Sequence, residues 1–122
     1  MTRPTAVLQT LLLSLLIWTL EGTVLYLISR AFGLPLPYAA AFFLLFFMGL
    51  SVTLPQAPGY VGTVELFGVA ALTSLGFAKE RALPVILAIH GFQFAFILAI
   101  GLWALGREGL TLSGLVHTKV EE

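Results

Sequence analysis

The sequence predicts an all-α fold: a polytopic transmembrane helical bundle with two long spans and, between them, a broken or re-entrant pair of short helices. Three observations predict it. First, 59% of the 122 residues are hydrophobic and only 10% are charged, against about one quarter charged in an average soluble domain. Mean hydropathy is +1.03. So few charged groups leave too little polar surface to solvate a globule. Second, residues 5–29 and 82–106 form two apolar stretches, each longer than the ~20 residues a helix needs to cross the hydrocarbon. Third, the intervening chain is broken by Pro55-Gln56-Ala57-Pro58-Gly59-Tyr60-Val61-Gly62, with Glu65 close behind. The prolines remove backbone donors and fix φ, and the glycines permit turns that other residues resist. Among apolar spans, irregular backbone beside a carboxylate is costly and persists only where protein shelters it.

The first helix, residues 5–29, follows a single positive charge at Arg3. A signal peptide would have an apolar core of only ~7–15 residues ending at small side chains. The run here continues to Arg30 without such a site and reads as a retained span. Its polar residues Thr10, Ser14, Trp18, Glu21 and Ser29 are spaced by three, four or eight and share one face. That face either lines a polar interior or forms a helix–helix contact in which Ser and Thr bond to their own helix. Glu21 is either buried for a purpose or carried by tilt to the interface near Arg30, because a carboxylate inside a span is expensive.

Residues 30–37 form a turn: Arg30 suits a helix C-terminus, Gly33 is a cap, and Pro35 and Pro37 block continuation. Residues 38–54 make a short, uncharged helix rich in Phe and Leu. Residues 61–75 make another, with Gly68, Ala70 and Ala71. Two short segments around a Pro/Gly break point to a discontinuous or re-entrant hairpin, and two ordinary spans joined by a tight turn are the alternative. Residues 76–81 are a polar turn. The last long helix, 82–106, takes Pro84 in its first turn and carries His90, Gln93 and Gly101 on one face. Residues 107–122 are a mixed tail, interfacial helix or disorder. Tyr26, Tyr38 and Trp103 read as interface anchors. The cations divide evenly between the two sides of any such topology, which leaves orientation open.

Several function classes are excluded. The chain has no cysteine, and its formal net charge is zero, so no basic surface for nucleic acid is indicated. There is no phosphate-cradling Gly-x-x-x-x-Gly-Lys loop, no His-Glu-x-x-His and no Gly-x-Ser-x-Gly. His90 and His117 lie on different segments, so neither a metal nor any other cofactor is expected. No nucleophile–base pair suggests an enzyme.

The chemistry lies at the break. A helix beginning at Val61 or Gly62 would start with N–H groups that lack intrahelical partners, in a weakly positive field suited to phosphate. Glu65, in the first turn, either satisfies those same groups or pairs with a cation, such as a lipid amine or an arginine of a neighbouring helix. The two ideas compete, because a terminus filled by Glu65 receives phosphate less well. Glu65, Gly59, Gly62, Glu21, His90 and Gln93 are the candidates for contact with a lipid headgroup or a polar cavity, and Pro55 and Pro58 shape the backbone. His90 and Gln93 can instead bond to a neighbouring helix.

The run Pro55-x-x-Pro58-Gly59-x-x-Gly62-x-x-Glu65 resembles the signature of the transmembrane region of lysylphosphatidylglycerol synthases and related flippase-like membrane proteins. There the pattern is close to Pro-x-x-Pro-Gly-Gly-x-Gly-x-x-Glu. Trp18-x-x-Glu21 on the preceding helix, the Gly76 turn, His90 and the exit glycines Gly101 and Gly106 extend the resemblance over roughly Leu11 to Gly109. Tyr60 departs from the pattern, standing where the family has a second glycine and crowding any close approach to the main chain. The chain is also shorter than family members, and it resembles their C-terminal part, a partial family domain.

The resemblance implies a multi-pass protein of the bacterial inner membrane that handles or translocates phospholipid. Its partners would be membrane phospholipid and further transmembrane helices, from another chain or a homo-oligomer. In the synthases a separate soluble domain transfers the aminoacyl group, and nothing here could house one. The alternative function is a non-catalytic accessory or structural subunit of a larger membrane transporter. The lipid-handling reading expects Glu65 and Glu21 to face a shared polar cavity, whereas the accessory reading expects both to be paired or to reach water.

Overall fold

The computed structural model describes residues 3–55 and 58–107. The order is α1 (Pro4–Ala31), α2 (Tyr38–Ser51), a turn at Pro58–Tyr60, α3 (Thr63–Ser74) and α4 (Lys79–Arg107). No strand occurs among the described residues, and the fold is all-α. The chain divides into two compact units, Met1–His90 and Gly91–Glu122. The predicted tail beyond Arg107 lies outside the described residues.

Helices α1 and α4 are long and apolar enough to cross a membrane. At 1.5 Å per residue, their 28 and 29 residues extend about 42 Å and 44 Å, beyond the ~30 Å of hydrocarbon. The 14 residues of α2 and the 12 of α3 extend only about 21 Å and 18 Å. The two short helices flank the Pro/Gly break and pack on one another, as a broken pair.

Local chemistry sets the ends. Pro4 opens α1, where a missing N–H removes no helical bond. At its end Gly33, at φ 71°, donates to the Arg30 carbonyl at 3.0 Å, and Leu34 donates to that of Ser29 at 2.9 Å. Helix α3 ends the same way through Gly76, with Phe77 donating to Leu72 at 3.1 Å; both are glycine-terminated Schellman ends. Two boundaries differ most from the sequence pattern. Helix α2 stops at Ser51, where Thr53 and Leu54 close turns onto the Leu50 and Ser51 carbonyls. Helix α4 begins at Lys79, because Ala78 already accepts from Arg81 and Ala82 at 3.0 Å. The cluster Lys79-Glu80-Arg81 is therefore its first turn, with Glu80 favourably placed in the dipole. Pro84 sits inside the helix rather than at its start.

In the first unit, most of α1 from Val7 to Leu20 is exposed and apolar on all sides, the pattern of a helix with lipid as solvent. Thr10 and Ser29 bond to carbonyls of their own helix, those of Ala6 and Leu25, so these two members of the polar stripe are satisfied locally. The core gathers where α1 meets the other helices. Leu25 packs with Ala41, Leu44, Leu45 and Met48 of α2, which repeat at one-turn spacing. The ring of Phe42 lies where a Cβ on Gly22 would be, 2.8 Å away. Tyr38 bridges the pair of helices, sharing a hydrogen bond with Thr23 at 2.9 Å and an edge-on contact with Tyr26 at 5.4 Å.

Helix α3 buries Val64, Gly68, Ala71 and Leu72, and α4 buries Ala82, Val85, Ile86 and Ile89. A Cβ on Gly68 would stand 2.7 Å from Cδ1 of Ile86, with two more atoms of that side chain within 3.0 Å. The missing side chain is what admits Ile86. Arg81 donates to the Gly33 carbonyl at 2.7 Å, tying the start of α4 to the α1–α2 turn. In the second unit, Phe92 stacks on Phe96 at 6.2 Å, and the Arg107 guanidinium lies 5.1 Å from the centre of the Trp103 ring.

Gly68→Ala should destabilise the protein by about 1–3 kcal/mol through overpacking. Combined with Ile86→Ala it should cost less than the sum of the two single changes. Thermal unfolding in detergent micelles measures both, and additive losses would contradict the close contact.

Candidate functional site

The site is built where α3 begins. Gly62 is the N-cap residue and, having no side chain, offers no oxygen to the free amides of the first turn. Glu65, at the third helical position, reaches back instead. Its Oε2 accepts the Gly62 N–H at 2.6 Å, which is the carboxylate half of a capping box. The acid thus sits on the positive end of its own helix dipole. Of the competing ideas for this terminus, the structure realises self-capping: the Gly62 amide that a phosphate would seek is already taken.

The other oxygen of Glu65 is also engaged. Oε1 lies 2.6 Å from Nδ1 of His90 on α4. The second ring nitrogen, Nε2, lies 2.9 Å from the carbonyl of Gly59. A carbonyl only accepts, so Nε2 carries a hydrogen and donates it. One imidazole therefore joins three segments: the Pro58–Tyr60 turn, α3 and α4. The His90 and Glu65 side chains are 13% and 17% exposed, so the bonds form largely away from solvent, where each contributes more than it would in water.

Helix packing brings this pair together. Gly68 of α3 receives Ile86 of α4. One turn back along α3 is Glu65, and one turn forward along α4 is His90, so an antiparallel pair with that register sets them face to face. His90 follows Ile86 by four residues and continues the buried stripe of α4 into polar chemistry.

The turn itself is left-handed. Gly59 has φ 76° and ψ 8°, Tyr60 has φ 60°, and Gly62 has φ 91°. Tyr60 is the one non-glycine residue at positive φ among the described residues. This conformation costs an L-residue about 1–2 kcal/mol, which gives a physical reason for glycine at that position. The turn points the Gly59 carbonyl at the His90 ring. Thr63 Oγ1 adds a long bond to the Tyr60 carbonyl at 3.4 Å.

One family model, that of the lysylphosphatidylglycerol synthase TM region, matches residues 1–101. The chain belongs to this family. No curated protein and no solved structure matches it. Membership, together with two helices able to span, makes this lysylphosphatidylglycerol synthase TM-region chain a membrane protein.

Of the residues singled out in this family member's sequence, the structure gathers Gly59, Gly62, Glu65 and His90. Glu21 is half-buried on α1 and does not join Glu65 and His90 as a cluster of three. Gln93 lies three residues beyond His90, in the second unit. Pro58 opens the turn and Pro55 precedes it. The direct pairing of Glu65 with His90 was not predicted. Its signal was the shared helical spacing of Glu65 with Gly68 and of His90 with Ile86, which acquires meaning once α3 and α4 are known to be antiparallel. The role of Arg81 at the Gly33 carbonyl was likewise not anticipated.

Tyr60→Gly should stabilise the protein by roughly 0.5–1 kcal/mol, the relief of the left-handed cost less the extra unfolded-chain entropy of glycine. Gly59→Ala should destabilise it by about 1 kcal/mol. Thermal unfolding in micelles distinguishes these opposite signs.

Proposed function

We propose that this chain is a phospholipid-handling module of the bacterial inner membrane, crossing it more than once. Its irregular segment between α2 and α3 serves as the place where a headgroup meets the protein. The observation that carries the reading is the Glu65–His90–Gly59 bridge: polar main chain, a carboxylate and an imidazole joined at a left-handed turn in an otherwise apolar protein. Ionisable groups in such surroundings are costly and are kept where a polar cargo passes. Membership of a family whose name refers to a phospholipid synthase supports the choice of lipid. The α2–α3 pair, too short for its helices to cross singly, enters the membrane and returns on this reading. Membrane phospholipid is its partner, together with further transmembrane helices from another chain or a second copy. The module passes lipid without making or breaking covalent bonds.

One observation favours a second reading. Glu65 is fully engaged by His90 and the Gly62 amide, as an accessory or structural subunit of a larger transporter would require.

Glu65→Gln keeps the shape of the side chain and removes its charge. Reconstituted in vesicles with a fluorescent phospholipid, this variant should fold as the parent does and translocate lipid at least about tenfold more slowly, the effect of altering one charge-assisted hydrogen bond. Equal rates for parent and variant, or no translocation by the parent, would favour the accessory reading.

A further inference from the structure

The imidazole of His90 faces two acceptors. Nδ1 of His90 faces Oε1 of Glu65 at 2.6 Å, and Nε2 faces the Gly59 carbonyl at 2.9 Å. Both contacts are hydrogen bonds only if a proton lies in each. The Nε2 proton belongs to the ring. The other lies between Nδ1 and Oε1, giving either imidazolium with carboxylate or neutral imidazole with carboxylic acid. In both forms the pair has zero net charge. When that proton is lost, a neutral ring has one N–H for two acceptors. The carboxylate is the stronger acceptor, so the remaining hydrogen goes to Nδ1, and a nitrogen lone pair then faces the Gly59 carbonyl.

We propose that Glu65 and His90 form a binding site for a single proton, and that its occupancy holds the Pro58–Tyr60 turn against α4. Loss of the proton to water takes the pair from zero to one negative charge. The Gly59 carbonyl loses its donor and the turn is released, while Glu65 keeps both the Gly62 amide and His90. On the lipid-handling reading, on which this use of the site rests, proton binding and release fasten and free the Pro58–Tyr60 turn as cargo passes.

Among the described residues no second carboxylate or histidine clusters with Glu65 and His90, and the ion pair they form is with each other. The other titratable or charged side chains of the first unit are Arg3, Glu21, Tyr26 and Arg30 on or beside α1, Tyr38 on α2, Tyr60 in the turn, and Lys79, Glu80 and Arg81 on α4. None of these forms an ion pair with Glu65 or His90. Arg81, which binds the Gly33 carbonyl, is nine residues before His90, roughly 14 Å along the helix axis.

Two substitutions separate the proton from the geometry. In Glu65→Gln the amide oxygen can accept from Gly62 while its NH2 donates to Nδ1, so a neutral ring still donates Nε2–H to Gly59. This variant keeps the turn held without a titratable proton. His90→Phe removes both bonds and leaves the turn free at every pH. The test is hydrogen exchange of the full chain in micelles, read by mass spectrometry over residues 59–63, from about pH 5 to about pH 10. Dividing the parent's rates by those of Glu65→Gln at each pH cancels the intrinsic pH dependence of exchange. The ratio should be near one at the acidic end and rise about tenfold at the basic end, while His90→Phe stays high throughout. A parent ratio that does not change with pH overturns the proposal, as does a Glu65→Gln variant that exchanges as fast as His90→Phe. Protection of α2 in the same samples reports whether each variant is folded, and if His90→Phe is not, the parent against Glu65→Gln decides. No lipid flux enters the measurement. A titrating turn without translocation removes the lipid reading and keeps the proton site, and translocation with a turn that does not titrate does the reverse.

Discussion

The structure around the break depends on one imidazole holding a carboxylate on one side and a main-chain carbonyl on the other. Backbone that leaves helical geometry loses its internal hydrogen bonds, and apolar surroundings offer no water to replace them. Here two of the exposed polar groups are served at once: the Gly59 carbonyl by His90 and the Gly62 amide by Glu65. Glu65 and His90 then satisfy each other. Each group on its own would be a costly charge or an orphaned dipole in a greasy protein. Joined, they form a closed hydrogen-bonded network.

That network in turn depends on what lies one helical turn away. The absence of a side chain at Gly68 lets α4 come close enough for Ile86 to fill the space. The resulting register sets Glu65 against His90. Gly22 admits Phe42 between α1 and α2 in the same manner. Packing between helices in apolar solvent gains little from hydrophobic burial and relies on close van der Waals fit, so these two glycines contribute through contact rather than flexibility. The Schellman turns at Gly33 and Gly76 place the helices they join, and Arg81 bonds the first of them to the start of α4.

Much of the fold was legible in the residues. The deficit of charge and the two long apolar runs specify two spanning-length helices and an all-α protein. Gly33 with its following prolines marks the end of α1, and the Pro/Gly run marks the interruption between two short helices. The errors fell at boundaries. Lys79-Glu80-Arg81 looked like a polar turn, but Ala78 caps a helix that takes all three into its first turn, and Pro84 is then interior. Propensity could not show this, because the deciding hydrogen bonds come from backbone geometry. The Tyr60 position was conspicuous as a departure from glycine, and its left-handed backbone explains why.

From the sequence alone came the class of the protein, its family resemblance and the set of polar residues with no ordinary place in a span: Glu21, Glu65, His90, Gln93 and the broken backbone between Pro55 and Gly62. Composition and local spacing decide such matters because they concern transfer from water and one helix at a time. Which of those groups would meet was settled only in three dimensions. Glu65 and His90 are 25 residues apart, and no periodicity within either helix encodes the partner on the other. Their meeting follows from the depth to which Ile86 seats on Gly68 and from the direction in which the left-handed turn aims a carbonyl, and both are properties of packed helices rather than of any single stretch of chain.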